Sequence, residues 1–404
     1  MLEEIFWFLL ILVSSVYVGY FALVFIFSKR RLALYRATFY PTVSLIVPTY
    51  NESKVILNKL NNILDLVYPR EKLQVVVVDS ASEDHTCLIV QKFLENHKGT
   101  LEISLIPLNE RLGKASALND VWSSCTGEIA VITDADCLLD KNAIYALVQP
   151  FGDNRVGVVT GSHVIVNPGE FATKKIEQSY RSIFNVLRVG ESYLDSTIIV
   201  NGQLCAFRKN QIENLSADSV CDDIELALRI RRKGYRIIYE PSAIFFEFTP
   251  KNFSDRLAQK TRRAQGIIQQ LVRFSDMMFK RRYGLFAFLI FPFEFFFHVV
   301  SPLMFVALFL LFMLNVFQFS FLVLFSMLFL GFLGISGSLL LLRYLRKTGI
   351  NPILVALTFF ESQFYLLVGL FPLIIGRPSH KWKIIGDVRE SSSKEQLNQA
   401  LPAR

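Results

Sequence analysis

Glu128-Ile129-Ala130-Val131-Ile132-Thr133-Asp134-Ala135-Asp136 is the stretch that decides how this chain is read. An apolar run that stops in two carboxylates describes a buried strand ending in a metal-binding tip. On a continuing strand, aspartates at i and i+2 point to opposite faces; where the strand breaks, both can turn toward one cation. Adjacent hard oxygen ligands suit Mg²⁺ or Mn²⁺, and those ions usually bring phosphates with them. A solvated strand end looks the same in isolation, so the order of the segments around the pair gives it weight.

Three more strand-like runs precede it. Val43-Ser44-Leu45-Ile46-Val47-Pro48 is followed by Thr49-Tyr50-Asn51-Glu52 and a helix-like stretch, Ser53–Leu66. Gln74–Val78 ends at Asp79-Ser80-Ala81-Ser82-Glu83-Asp84, and a helix-like stretch, Thr86–Asn96, follows. Ile103–Ile106 is the third run, and a helix over Lys114–Ser124 leads into the strand that Asp134 closes. Strands that are apolar throughout and alternate with helices imply a parallel sheet covered on both faces. In such sheets ligands bind outside the carboxyl ends of the strands. Glu52, Asp79, Asp84, Asp134 and Asp136 all fall at those ends, which argues for one site. Singly, each carboxylate also reads as a turn or a helix cap. There is no G-x-G-x-x-G and no G-x-x-x-x-G-K-[ST]. A Rossmann dehydrogenase and a P-loop NTPase are therefore unsupported. Carboxylates that accept from a base or ribose, with a metal on the diphosphate, are the remaining way to hold a nucleotide here.

The chain of 404 residues is 52% hydrophobic with 37 Phe, too apolar for an ordinary soluble enzyme. Phe6–Phe27 is uncharged and long enough to cross a bilayer at roughly 20 residues per span. Glu3 and Glu4 stand where a signal peptide would be positive, and Lys29-Arg30-Arg31 follows the run. A retained anchor with its C-terminal end in the cytosol is the reading, because positive flanks stay inside. Past Tyr283 lie Leu285–Leu314, Phe317–Leu342 and Ile353–Ile375, about three spans. The first holds Pro292, Glu294, His298 and Pro302 and reads as one span, as two short ones, or as an interfacial helix plus a span. Glu294 and His298 are costly in lipid and by default face protein or a cavity. The basic loop Arg343–Lys347 separates the last two spans, and the span count decides on which side Arg377, Lys381 and Lys383 lie.

The net charge of +8 fits a protein lying against anionic headgroups. Nucleic acid is the alternative partner for a basic chain, and the main basic segment, Arg256–Arg282, argues against it because it leads straight into the membrane part. That segment mixes Arg256, Lys260, Arg262, Arg263 and Arg273 with Leu257, Ile267, Ile268, Leu271, Val272 and Phe274. It reads as an amphipathic helix in the membrane interface, or as one packed on the domain, or as both. The five Cys residues fit no zinc spacing and are expected to be reduced.

Taken in order over roughly Pro41–Gly266, these motifs resemble those of the membrane-anchored family 2 glycosyltransferases of the GT-A fold. This group includes cellulose, chitin and hyaluronan synthases and many lipid-directed sugar transferases. Val47–Glu52 resembles the opening motif that contacts the nucleotide, which implies that role for Pro48, Thr49, Tyr50 and Glu52. Val78–Asp84 resembles the stretch whose first Asp, here Asp79, binds uracil. Gly113–Asn119 resembles the motif whose Lys, here Lys114, approaches the diphosphate. Asp134-Ala135-Asp136 matches the metal motif: Asp136 is the ligand, and Asp134 assists and contacts the nucleotide. Gly202–Arg208 resembles the acceptor-side loop, with Gly202 and Gln203. Cys221–Arg229 resembles the segment that carries the general base, Asp223, with Asp222 where the family often has Glu. Gln259-Lys260-Thr261-Arg262-Arg263 resembles the Gln-x-x-Arg-Trp motif. Gln259 and Arg262 are kept on the nucleotide side, and Arg263 replaces the Trp that stacks on the acceptor sugar. A guanidinium also pairs with phosphate or carboxylate. The replacement thus shifts the expectation from processive polymerisation to transfer of one or a few sugars to a lipid or charged acceptor.

The resemblance implies an α/β fold: a GT-A domain, Rossmann-like with a mostly parallel sheet, plus transmembrane helices. The expected organisation is an anchor over 1–28, a cytosolic catalytic domain over 29–254 and an amphipathic region over 255–283. A membrane region over 284–376 and a polar tail over 377–404 follow. The expected activity is inverting, metal-dependent transfer from a nucleotide-diphosphate sugar, a UDP-sugar by family habit, to a hydroxyl of a membrane-associated acceptor. The alternatives are a processive synthase that exports its product and a non-catalytic sugar-nucleotide-binding membrane protein. Mg²⁺ or Mn²⁺ is the expected cofactor. The expected partners are the donor, a lipid or glycan acceptor and membrane lipids, with no obligate protein partner. The expected location is the cell membrane.

Overall fold

The computed structural model describes residues 2–28, 39–166, 184–248, 253–315 and 352–375. The basic flank Lys29–Arg31, the expected span Phe317–Leu342, the loop Arg343–Lys347 and the tail with Arg377, Lys381 and Lys383 lie outside the described residues.

A helix, α1 (Leu2–Ser28), precedes the catalytic region. There β1 (Val43–Thr49), α2 (Ile56–Leu64), β2 (Leu73–Asp79), α3 (Thr86–Asn96), β3 (Glu102–Pro107), α4 (Lys114–Val121) and β4 (Ile129–Ile132) alternate. β5 (Leu138–Leu139), α5 (Ala143–Val148) and β6 (Val156–Ile165) come next. Then follow a helix over 184–194 (α6), β7 (Cys205–Arg208), α7 (Asp222–Arg232) and β8 (Arg236–Glu247). One sheet takes all eight strands in the order β3-β2-β1-β4-β7-β6-β8-β5.

β1 is buried along its whole length and pairs parallel with both β2 and β4. That position explains its unbroken apolar character, since a strand covered on both faces has no solvent side to alternate toward. Pro48 offers no N–H, and it sits beyond Ile46, the last β1 residue paired with β4. The strand order doubles back between β1 and β4, so a crevice opens at their carboxyl ends.

The first four strands are parallel, as expected. Beyond β4 the sheet turns mixed: β7 runs antiparallel to both β4 and β6, β6 is parallel to β8, and β5 is antiparallel to β8. β7 is entered from the 195–204 loop and inserts between β4 and β6, which is where the change of sense falls.

Each face of the sheet carries its own core. Val76, Ile132 and Phe207 pack under Leu118, Leu226 and Ile230, while Leu45, Val75 and Val131 pack under Ile56, Leu60 and Leu147.

α8 (Phe253–Arg273) buries Ile268 among the apolar helices and Leu271 in the sheet core, while Val272 is exposed. Its apolar residues are thus largely spent on protein contacts. Phe286–Asn315 is a single helical segment of 30 residues, labelled α9; together with α1 it is long and apolar enough to cross a membrane. Of the three readings open for this stretch, the structure has the single uninterrupted helix. Wide π turns at Phe286–Ile290 and Phe296–Val300 stand just before Pro292 and Pro302. A π turn accommodates the missing N–H and the ring clash of a proline without ending the helix. Glu294 and His298 are buried and paired, Nδ1 to Oε2, at 3.1 Å. α10 (Pro352–Ile374) packs across α8 at Gly369, where a Cβ would meet Ala264 Cβ at 3.1 Å.

Candidate active site

The loops after β1 and β2 are laced together. Asn51 N–H donates to Ser82 Oγ (2.8 Å), Glu83 N–H to Asn51 Oδ1 (2.8 Å) and Ser53 N–H to Asp84 Oδ2 (3.1 Å). Asn51 and Ala81 both take positive φ, near 52° and 56°, and these local hydrogen bonds hold them there. The result is a rigid rim above the sheet. Asp79 lies inside that rim, 1% exposed, and its carboxylate accepts from Thr49 Oγ1 and from the N–H and Oγ of Ser82. Glu52 is equally buried, its N–H donating to Thr86 Oγ1. Asp79 and Glu52 lie behind the rim, whereas Pro48, Thr49 and Tyr50 line a small cavity. Arg111, which sequence reasoning passed over, lies 3.7 Å above the Tyr50 ring and lines the same cavity.

A larger cavity of about 250 Å³ adjoins it. Lys114, Asp222 and Arg262 line both. Asp134, Asp136, Gly202, Gln203, Asp223, Gln259 and Arg263 line the larger one. The residues expected at the metal, the diphosphate and the acceptor are thus brought together, although they come from β4, α4, α7, α8 and the 201–204 loop.

The turn after β4 has an unexpected support. Lys59 is fully buried on α2, and its ammonium donates to Thr133 Oγ1 (2.7 Å) and to the Cys137 carbonyl (2.9 Å). Both acceptors flank Asp134 and Asp136, so a buried cation fixes the loop that presents them. No signal in the sequence marks Lys59, which reads as a helix-surface lysine.

Lys114 Nζ donates to Asp134 Oδ1 at 2.7 Å and lies 3.7 Å from Asp222 Oδ2. These carboxylates outweigh the burial of the ammonium and push it above its ordinary value. Burial pushes the Asp222 carboxyl up to about 6, with Lys114 opposing and the charges of Asp223 and Asp134 adding to the rise. Burial, and then the charge of Arg263, lower Arg262 from its ordinary value. Asp223 stands in the first turn of α7, and its Oδ1 accepts from Ile224 N–H (2.8 Å) and Cys221 Sγ (2.9 Å). Burial and the Asp223 charge push the Cys221 thiol well up, which keeps it a donor. Gly202 faces Asp223 so closely that a Cβ there would fall 2.7 Å from Oδ2. A side chain there would push the Asp223 carboxylate aside.

Among the described residues no group of three or more His, Cys, Asp or Glu forms a cage for a metal ion. Asp134 and Asp136 in one cavity still fit a hard divalent cation. Mg²⁺ is commonly held by one or two carboxylates plus substrate phosphates and waters.

Arg263 does not stand as an unopposed cation. Its Nη2 lies 3.1 Å from Glu247 Oε1, and Lys260 lies 3.6 Å from Glu361. A carboxylate from β8 thus lies beside the residue expected on the acceptor side. Glu247, Glu361 and Tyr365 line the cavity and were not anticipated, whereas His298, expected to face protein or a cavity, lines it as well.

The family model described as "Glycosyltransferase like family 2" matches residues 41–266. A poly-beta-1,6-N-acetyl-D-glucosamine synthase of Staphylococcus aureus (strain COL) is 29% identical over 245 residues, 59% of this chain and 58% of that protein. The chain thus matches a little over half the length of this relative. The probable glycosyltransferase YdaM of Bacillus subtilis (strain 168) is 30% identical over 270 residues, 64% of each chain. Among solved structures, the mannosyltransferase PcManGT from Pyrobaculum calidifontis, in complex with GDP-Man and Mn²⁺, is 29% identical with a TM-score of 0.74. That likeness covers 93% of this chain and 100% of the other.

Proposed function

The chain belongs to the family 2 glycosyltransferases, and from that premise we propose an inverting transfer of a sugar from a nucleotide-diphosphate sugar to a hydroxyl of a membrane-associated acceptor. The observation that carries this reading is that Asp134, Asp136, Asp223, Lys114 and Arg262 line one cavity at the carboxyl edge of the sheet. The smaller cavity beside it, walled by Pro48, Thr49 and Tyr50, is the place for the nucleoside. Lys114 and Arg262, shared by both cavities, are the residues for the diphosphate.

Asp223 is the general base. Ile224 N–H and the Cys221 thiol hold its Oδ1, and Oδ2 faces the cavity beside Gly202. Oδ2 takes the proton from the acceptor hydroxyl as that oxygen bonds to the anomeric carbon. The bond from that carbon to the diphosphate breaks on the opposite side, so an α-linked donor gives a β-linked product. Lys114 and Arg262 stabilise the negative charge that builds on the leaving diphosphate. Asp136, with Asp134, would hold Mg²⁺ or Mn²⁺, which supplies further charge stabilisation when bound.

The two long apolar helices support an integral membrane protein, which we place in the cell membrane with the catalytic domain cytosolic. The larger cavity is walled in part by Phe297 and His298 of α9 and Tyr365 of α10, which favours an acceptor held at the membrane, lipid or lipid-linked. The similarity to a polysaccharide synthase favours the second reading, processive extension.

The test is turnover by purified protein in lipid with a panel of UDP- and GDP-sugars and Mn²⁺ or Mg²⁺, alongside Asp223→Asn. Products are separated into lipid-extractable and high-mass fractions. Sugar in the lipid fraction, lost in the variant, supports the first reading. High-mass product selects the second. Nucleotide binding without turnover would move the protein to a non-catalytic role.

A further inference from the structure

The wall of the larger cavity that faces away from the nucleoside side is built around one carboxylate. Glu247 closes β8, is 5% exposed and lines the cavity. His163 Nε2 stands 3.0 Å from its Oε2, Gln203 Nε2 stands 3.4 Å from the same oxygen, and Arg263 Nη2 stands 3.1 Å from Oε1. His163 is itself buried on β6, with its ring stacked on Phe245 at 4.9 Å, so the carboxylate is braced from behind.

The charges of this wall cancel within it. The α8 cations Arg263 and Lys260 are each matched, by Glu247 from β8 and by Glu361 from α10. Arg188 donates to Asn201 Oδ1 (3.1 Å) and lies in the field of Glu294, which also pairs with His298. An anionic head would meet Glu247 at contact distance, and a cationic head would have to displace Arg263. Side by side, the wall offers guanidinium and amide donors and carboxylate acceptors with no net charge. Such alternation matches adjacent hydroxyls, each of which both donates and accepts.

We propose that Glu247 is a specificity-determining residue of the acceptor subsite, and that with Arg263 and Gln203 it selects an uncharged, polyhydroxylated head, a sugar, over a phosphate. This rests on the glycosyltransfer reading and deepens it. The acceptor is then a sugar-headed amphiphile or a glycan end whose reactive hydroxyl is presented to Asp223. The missing aromatic at position 263 is replaced by hydrogen-bonding recognition.

The experiment uses the full chain in phosphatidylcholine nanodiscs with whichever nucleotide sugar it hydrolyses. Two probes are offered, octyl β-D-glucoside and farnesyl phosphate, and transfer is measured beside hydrolysis of the donor by water. The wild type should prefer the glucoside. Glu247→Gln should lower the ratio of glucoside transfer to hydrolysis about ten- to a hundredfold, chiefly through the KM for the glucoside, as expected when a charged hydrogen-bond partner is lost. A merely structural loss would depress both rates and leave that ratio unchanged, which would overturn the proposal. Preference for farnesyl phosphate, or hydrolysis with transfer to neither probe, would overturn it too. Should Glu247→Gln fail to fold, Arg263→Gln takes its place with the same expected fall in ratio. A wild type that hydrolyses no nucleotide sugar would sink the glycosyltransfer reading itself, and this inference with it.

Discussion

The two ends of the site, read as proposed above with the nucleoside at one and the acceptor at the other, are built in different ways. The nucleoside end is a product of the sheet: Pro48, Thr49, Tyr50 and Lys114 are presented by strand ends and one helix start, each within a short contiguous motif. The acceptor end is a product of packing: Gln203, Glu247, Arg263 and Tyr365 come from a loop, a strand end and two helices that meet only in three dimensions. The first end has cations shared between its two cavities. The second matches Arg263 and Lys260 with carboxylates of its own. A diphosphate needs the former, whereas a hydroxyl needs only direction.

This contrast breaks most visibly at the residue between the two ends. Asp223→Asn should lower transfer by roughly 10²–10⁴-fold, the range of a lost general base, with donor binding by calorimetry preserved. Comparable loss of donor binding would mean that Asp223 belongs to the nucleoside end. Next in size, Lys114→Met should cost about 10²–10³ in turnover, as for a lost group that stabilises developing charge. It should depress donor hydrolysis and transfer together, unlike changes at Glu247.

Stability effects sharpen the comparison further. Lys59→Met leaves the Thr133 hydroxyl and the Cys137 carbonyl without their buried donor. It should cost about 1–3 kcal/mol, read as a drop in thermal midpoint of the purified protein in lipid. An unchanged midpoint would show that the turn holding Asp134 and Asp136 supports itself. The smallest effect is a dependence on pH. The Asp222 carboxyl is raised to about 6, above an ordinary value of about 3.9. Its protonated form therefore stabilises the fold fully below the unfolded value, and that contribution is lost as pH rises through about 6. In EDTA, Asp222→Asn should gain midpoint relative to wild type between pH 5 and 7.5, by about 2–4 °C for each kcal/mol. A difference independent of pH would mean that Lys114 fully compensates the buried charge.

The nucleoside end and the first four strands were legible in the sequence for a physical reason. Parallel strands covered on both faces are continuous apolar runs, and their polar ends mark where ligands sit. The acceptor end was not legible. β6, β7 and β8 pair across long sequence separations, so nothing near His163 announces that it will face Glu247. Lys59 was invisible because its partners arrive from another strand. Arg263 was legible as a departure from a motif, but its meaning depended on a carboxylate sixteen residues earlier. The apolar helices could be read from length alone. The continuity of Phe286–Asn315 through two prolines could not, because π turns leave no mark in composition.

One glycine ties the two worlds of this protein together. At Gly190 of α6 a Cβ would fall 2.3 Å from the Val24 carbonyl of α1, so α6 lies directly on the backbone of α1. Tyr20, one turn further in, donates to Glu191 at 2.6 Å and fixes the register of that crossing. If α1 crosses the bilayer, the reaction centre stands at a set height above the lipid. The enzyme then works as a gauge: a hydroxyl is within reach only when its own carrier lifts it to that level.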